Sequence, residues 1–153
     1  MKKGTSIRIS TVLVAIIAMI SIVMAGATET KAIKERHELM EEIKGSMTPL
    51  VSIAKKQNPF DAEVVQASGK AIADHLKKAA NLFPEGSEQG DAETWAKAEI
   101  WSDRDNFDQS MKNSIDAAVA MQSVDSEAAF MPALGALGNS CKNCHDKYRR
   151  PKN

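Results

Sequence analysis

The sequence predicts an all-α protein folded as an antiparallel four-helix bundle. Four stretches repeat apolar residues every three or four positions, which is the spacing of one helix face. No stretch after Ala27 sustains the alternation of β-branched and polar residues that predicts a strand. The connections between the four stretches are mostly short, and short connections join antiparallel neighbours in a bundle.

The N-terminal segment has the three parts of a secretory signal peptide. A basic start precedes an apolar run over residues 12–24, and small residues follow at 25–27. We expect cleavage after Ala27 and a single domain over residues 28–153. An uncleaved membrane anchor is the alternative, but the apolar run is shorter than the ~20 residues that span a bilayer.

Charge and composition exclude one class of partner. The chain has 20 basic and 20 acidic residues, and loss of the basic leader leaves a mild acidic excess. A nucleic-acid-binding surface would be strongly basic, so no nucleic acid is expected as a partner. Aromatic residues make up only 5% of the chain. Either small and aliphatic side chains build the interior, or a bound group fills it.

The first two predicted helices are joined by a tight turn. The first spans roughly residues 29–56, and its inward stripe contains Ile33, Arg36, Met40, Ile43, Met47, Leu50 and Ala54. Asn58–Pro59 ends this helix because proline cannot continue it. Asp61 is expected to cap the second helix, whose apolar stripe continues to Phe83.

A loop over residues 84–101 separates the second and third helices, with a short helical piece expected over 92–98. Ser102 or Asp103 is expected to cap the third helix. The fourth helix follows Ser126. Its apolar residues are spaced alternately four and three apart: Phe130, Leu134, Leu137, Cys141, Cys144 and Tyr148.

Residues 141–145 read C-K-N-C-H, the spacing by which haem is attached to c-type proteins. Two thiols three residues apart on one helix face can add to the two vinyl groups on one porphyrin edge. His145 lies on the same face and can place an imidazole nitrogen under the iron. The sequence therefore predicts one covalently attached haem c, bound through Cys141 and Cys144, with His145 as an iron ligand.

Three other uses of the cysteine pair compete with haem. A disulfide within one helix would close a very small loop and stabilise little. A redox dithiol sits at a helix N-terminus, whereas these cysteines fall in the last turns, where the helix dipole opposes thiolate. A zinc site would have to recruit His37 and His75, both expected on polar, solvent-exposed faces.

With this motif at the C-terminal end of a helical chain, the sequence resembles the class II cytochromes c, the family of cytochrome c′ and its low-spin relatives. The shared segments are Arg36-x-x-x-Met40, Asn58-Pro59-Phe60-Asp61, Leu82-Phe83-Pro84-Glu85-Gly86-Ser87 and the end from Cys141 to Arg149. The resemblance implies a bundle that encloses one haem between its helices, near one end. The signal peptide and the haem motif together predict an exported, periplasmic protein, and we expect it not to be an enzyme.

The resemblance leaves two functions open, which differ at the sixth position of the iron. In the low-spin members a methionine of helix one binds the iron, and the protein carries electrons between redox partner proteins. In cytochrome c′ this position is typically vacant and apolar, and the iron binds NO or CO. Met40 matches the family's position, so we expect it to bind iron and the protein to transfer electrons. Core packing is the other interpretation of Met40.

The resemblance adds two arginines to the expected site. Arg36 is expected to bind a haem propionate, unless its stem packs and its guanidinium reaches solvent. Arg149 matches a basic residue beside the proximal histidine, with a role in ending the helix as the alternative. Gly135 and Gly138 indicate close approach by haem or by another helix, with a loop-like start to the fourth helix as the alternative. Family members often dimerise through helices one and two, so a homodimer of this kind is also expected.

Overall fold

The computed structural model describes residues 29–151 in full and, ahead of them, the backbone of residues 7–28. The expected signal peptide and its cleavage after Ala27 lie outside the residues described in full, so both stay predictions. In the part of the chain that the structure describes, no helix is long and apolar enough to cross a membrane.

Residues 7–151 form four long helices and one short helix, and no strand occurs among them. In chain order the helices are α1 (Ile7–Ala54), α2 (Ala62–Ala80), α3 (Glu99–Ser102), α4 (Arg104–Met121) and α5 (Glu127–Tyr148). The long helices correspond to the four stretches with helical periodicity, and α3 is a single turn that leads into α4. The predicted all-α antiparallel four-helix bundle is confirmed.

Helices α2, α4 and α5 begin directly after residues at which the sequence predicts a helix start. Asp61 precedes α2, and its Oδ1 accepts hydrogen bonds of 2.9 and 3.2 Å from the N–H groups of Glu63 and Val64. These bonds satisfy donors that the first turn of a helix leaves unpaired. Asp103 and Ser126 precede α4 and α5, but neither side chain forms a capping bond to its helix.

The helical piece expected over residues 92–98 is not formed, and the short helix α3 begins at Glu99 instead. The backbone of residues 94–97 pairs with the end of the chain, through an antiparallel bridge Ala96–Arg149 and hydrogen bonds from Lys97 N–H to Tyr148 O and from Arg150 N–H to Trp95 O. In a helix these backbone N–H and C=O groups would bond to one another within the segment. Here they bond to residues at the end of α5 instead.

Three neighbouring pairs of helices pack closely, namely α1 with α2, α2 with α4 and α4 with α5. Gly69 of α2 permits one of these contacts, because a Cβ there would lie 2.5 Å from the Cβ of Met121 on α4. The largest fully buried side chains in the interior include Phe107, Phe130, Ile33, Leu50 and Ile72. Among the described residues, α1 and α5 show no comparable close packing.

The bundle has two different ends. At the turn end, the α1–α2 and α4–α5 connections meet, and the ring centroids of Phe60 and Phe130 are 6.0 Å apart. The opposite end, which we call the motif end, contains the long connection over residues 82–103 and the last turns of α5. The C-K-N-C-H sequence lies at the motif end.

Candidate haem site

The C-K-N-C-H motif occupies the last turns of α5, which ends at Tyr148. Cys144 is buried, whereas Cys141 and His145 are half-buried. Spacings of three and four residues place these side chains on one face of the helix, in line with the buried Leu137. The last turns of α5 therefore present two sulfur atoms and an imidazole on the inward side of the helix.

The two thiols are uncharged in these surroundings. Burial raises the pKa of Cys144 to about 11, and the neighbouring Cys141 adds to the shift. Burial also raises the pKa of Cys141, against smaller opposing effects of hydrogen bonds. Redox dithiols and zinc sites both use thiolates, so burial disfavours these two alternatives. A thioether carries no charge, and this environment therefore suits covalent attachment of haem.

The imidazole of His145 is held in its neutral form. Burial lowers the pKa of His145, the positive charge of Arg149 lowers it further, and Asp146 opposes both effects. Neutral imidazole is the form that binds a metal ion, because the coordinating nitrogen must carry a free electron pair. The charge state of His145 thus fits an iron ligand.

Helices α1 and α5 both carry half-buried apolar side chains that pack against the core, namely Leu39, Met40, Met47, Leu134 and Cys141. A Cβ added at Gly135 or Gly138 of α5 would meet no described atom within 4 Å, so no other helix makes the expected close approach at these glycines. The neutral donors and their apolar neighbours together fit a covalently attached haem.

Arg36 is buried at the motif end, with 5% of its surface exposed. Its Nη1 donates to the Leu82 carbonyl and the Ser87 hydroxyl at 3.1 Å, and its Nη2 donates to the Ser87 carbonyl at 2.7 Å. The guanidinium carbon also lies 4.7 Å from the ring centroid of Phe83 and 5.8 Å from that of Trp101. Burial lowers the pKa of Arg36 to about 10, so the group stays charged at neutral pH. The interpretation in which the guanidinium reaches solvent is therefore wrong, and its contact with a propionate stays a prediction.

Arg149 is the first residue after α5 and is exposed. Its N–H donates to the His145 carbonyl at 3.0 Å. Its charge is near enough to lower the pKa of the His145 imidazole. The position is compatible with both expected roles, beside the ligand and at the helix end.

Comparison with known proteins places this fold and this motif in one family. The family model described as Cytochrome C' matches residues 31–149. The chain belongs to the cytochrome c′ family. It is 36% identical over 122 residues to cytochrome c-556 of Agrobacterium tumefaciens (strain II Chrys), which covers 78% of this chain and 98% of that protein.

Solved structures of cytochromes c′ have the same fold as this bundle. Cytochrome c′ from Rhodopseudomonas palustris superimposes with a TM-score of 0.75 and 34% identity, over 80% of this chain and 98% of that one. The nitric oxide complex of a mutant cytochrome c prime from Alcaligenes xylosoxidans superimposes with a TM-score of 0.71 and 30% identity, over 81% and 97% of the two chains.

As a member of the cytochrome c′ family, this protein is a monohaem cytochrome with one covalently attached haem c. The residues of the described chain that would hold the group are Cys141 and Cys144 as thioethers and His145 as an iron ligand. When bound, the haem would supply one-electron chemistry and an iron that can take a further ligand. Ligation by Met40 stays a prediction.

The other two histidines are less exposed than expected. His37 is half-buried, with its ring centroid 4.9 Å from that of Trp95 in the long connection. His75 is 22% exposed at its side chain, and its Nε2 lies 3.4 Å from a carboxylate oxygen of Glu42 on α1. The expected solvent exposure is wrong, because the long connection reaches His37 and α1 packs beside His75. Among the described residues, no group of three or more His, Cys, Asp or Glu side chains could hold a metal ion.

Two residues with clear roles at the motif end were missed by sequence reasoning. Ser87 is fully buried and receives the guanidinium of Arg36. The Nζ of Lys97 donates to the carbonyls of Asp146 and Lys147, both at 3.1 Å. Ser87 ends one of the segments that carry the family resemblance, but no pattern in the sequence predicts either contact, because each joins positions about 50 residues apart.

Proposed function

We propose that this cytochrome carries single electrons between redox partner proteins, with no turnover of a substrate. In this proposal His145 and Met40 would both bind the haem iron. The supporting observation is the position of Met40, which is half-buried on α1 and packs against the same core as Cys141. Helix α5 carries the two thiols and the imidazole. It does not pack closely on α1, the helix that carries Met40.

The surroundings of the site suit a one-electron carrier. A thioether ligand raises the reduction potential of haem iron and stabilises its reduced state. Leu137 and Cys144 are buried on the inward face of α5, and Ile43 is buried on the same side of α1 as Met40. Apolar burial on both helices limits the access of water to the region of the motif, and solvent access is one of the factors that set the reduction potential of a metal site.

Gas binding is the second candidate function. Here the sixth position is vacant and binds NO or CO, while Met40 serves as packing. The similarity to cytochromes c′, and the nitric oxide complex of one of them, support this candidate. Similarity to cytochrome c-556 supports the first candidate at a comparable level of identity.

Spectroscopy of the purified holoprotein separates these functions. For electron transfer we expect low-spin spectra in both oxidation states, a weak sulfur-to-iron charge-transfer band at long wavelength in the ferric protein, and no rapid binding of CO. A high-spin ferric spectrum with rapid binding of CO to the ferrous protein would favour the gas-binding function. Absorption and electron paramagnetic resonance spectra measure the spin state directly.

We further propose that the protein is exported and works in the periplasm after cleavage behind Ala27. The supporting features are the leader sequence and the covalent haem motif. Mass spectrometry of the protein from a periplasmic fraction is expected to give a chain that begins at Thr28 and carries one haem. A chain that retains residues 1–27 in the membrane fraction would support the anchor instead.

A homodimer through α1 and α2 is part of the same proposal. Val51 of α1 and Val64 of α2 are among the exposed large apolar side chains, at 37% and 38% exposure. Sedimentation of the wild type and of a Val51→Glu, Val64→Glu double variant tests this interface. Loss of a dimer in the double variant is expected, and an unchanged sedimentation coefficient would place any association elsewhere.

A further inference from the structure

The segment over residues 94–97 forms several hydrogen bonds to the end of α5. One antiparallel bridge and two backbone hydrogen bonds join it to residues 148–150. The guanidinium of Arg150 also donates to the Thr94 carbonyl. These bonds fix the place of one side chain in particular, that of Lys97.

Lys97 satisfies three successive carbonyl groups at the end of α5. Its backbone N–H donates to the Tyr148 carbonyl at 3.0 Å. Its ammonium donates to the carbonyls of Asp146 and Lys147, both at 3.1 Å. The last four carbonyls of a helix have no partner within the helix, and they form the negative end of its dipole. The ammonium of Lys97 therefore lies at the negative end of the helix that carries the haem motif.

Two carboxylates that contact residues of this helix end are bonded to other cations. Asp146 accepts a hydrogen bond from Lys142, and Asp103 accepts one from Lys147 at 2.7 Å. Among the described residues, the hydrogen bonds of the Lys97 ammonium go to the two helix carbonyls alone. Its charge thus acts on the helix end that follows His145.

We propose that Lys97 is a positioning residue that holds the last turn of α5 and raises the reduction potential of the haem. This inference rests on the proposed role of His145 as an iron ligand. The haem iron carries one more positive charge when oxidised, so the helix-end carbonyls favour the oxidised state and a cation that offsets them favours the reduced state. The same bonds fix the turn that aims the His145 imidazole.

The test compares four variants of the holoprotein. Lys97→Met removes the charge and the side-chain hydrogen-bond donors and keeps an unbranched side chain. Lys97→Gln keeps a side-chain donor without the charge, and Lys97→Arg keeps both the donor and the charge. Lys55→Met is the matched control, because Lys55 is exposed at the turn end and loses the same charge. Potentiometric titration gives the reduction potential, and nuclear magnetic resonance gives the shifts of the His145 ring protons in the ferric state.

Lys97→Met is expected to lower the equilibrium constant for reduction by about twofold to fivefold, the size typical of a cation at a helix C-terminus. Lys97→Gln should lower it similarly, while Lys97→Arg and Lys55→Met should stay close to the wild type. The His145 ring shifts should change in the Met variant and return in the Arg variant.

An unchanged potential in Lys97→Met and Lys97→Gln, with only a lower melting temperature, would show a merely structural role and overturn the proposal. An equal fall in Lys55→Met would also overturn it, because the effect would then come from net charge. All four variants keep Met40, so the ligation of the iron is the same in every comparison. A failure of Met40 ligation, which the spin state of the wild type reports, would therefore be seen separately from a failure of the Lys97 effect.

Discussion

The two ends of this bundle are built by different means. At the turn end, a local cap at Asp61 and one long-range hydrogen bond, from Gln66 to the Val124 carbonyl, accompany the packing of apolar side chains. At the motif end, the long connection is tied to both α1 and α5 by buried or multiple hydrogen bonds, through Arg36 and Lys97. The difference teaches that the end with the haem motif depends on specific polar contacts, whereas the other end depends on helix pairing.

Aromatic residues are also distributed unevenly between the two ends. Four of the chain's seven form one continuous cluster at the motif end, with centroid separations of 6.1, 4.7 and 5.2 Å along Trp101, Phe83, Phe107 and Tyr148. Tyr148 is on the last turn of α5, one turn beyond the motif. The cluster stabilises the motif end, since large rings bury much apolar area and lose little conformational freedom on folding.

The largest expected loss of stability comes from Arg36, the central polar group of the motif end. Arg36→Met leaves the buried Ser87 and the Leu82 carbonyl without their donor, at a cost on the order of 3 kcal/mol. Denaturant unfolding of the holoprotein measures this change. Lys34→Met, at an exposed site on the same helix, is the control and should stay within about 0.5 kcal/mol of the wild type. A loss as small as the control's would remove the contrast between the two ends.

A close contact between helices gives the next largest effect. Gly69→Ala forces a Cβ against Met121 of α4, and overpacking of this kind costs about 1–3 kcal/mol. Gly45→Ala is the matched substitution on α1, where an added Cβ meets no described atom within 4 Å. It should stabilise the protein by up to about 1 kcal/mol through helix propensity. Thermal melts of both variants give opposite signs if the α2–α4 approach requires glycine, and a common sign would contradict it.

The smallest expected effect belongs to the turn end. Asp61→Ala removes the acceptor of two hydrogen bonds at the start of α2 and should cost about 1 kcal/mol. Asp61→Ser keeps a capping oxygen and should recover most of the loss. Chemical denaturation measures both changes. A loss in Asp61→Ala that exceeded that of Arg36→Met would reverse the comparison of the two ends.

Local features of the structure were accessible from the sequence, and distant contacts were not. The helical stripes, the Asp61 cap and the cysteine motif each depend on residues within about one or two helical turns of each other. The sequence predicts a short helical piece over residues 92–98, but the backbone groups of residues 95–97 pair with Arg149 and its neighbours. Nothing near residue 96 in the chain reports a partner more than 50 residues away.

The residues of the candidate site differ in the same way in how far the sequence predicts them. Spacing alone puts Cys141, Cys144 and His145 on one face of α5, and the structure places them there. The partners of Arg36 could not be read from its place on an apolar stripe, since Ser87 becomes its acceptor only when the long connection folds over α1. For Met40, the sequence predicts only part of the expected role. Its helical position was predictable, but a bond between its sulfur and the iron depends on the distance between two helices.

That bond is the central claim, and the spin state of a Met40→Leu variant tests it most directly. Leucine nearly preserves the volume of methionine and removes the sulfur. Met47→Leu is the matched control, because Met47 is also half-buried on α1 and packs against the same core. We expect ferric Met40→Leu to become high-spin, to bind CO readily once reduced and to have a lower reduction potential, while Met47→Leu stays low-spin. A wild type that is already high-spin, with a spectrum that Met40→Leu leaves unchanged, would contradict electron transfer through a methionine-ligated haem.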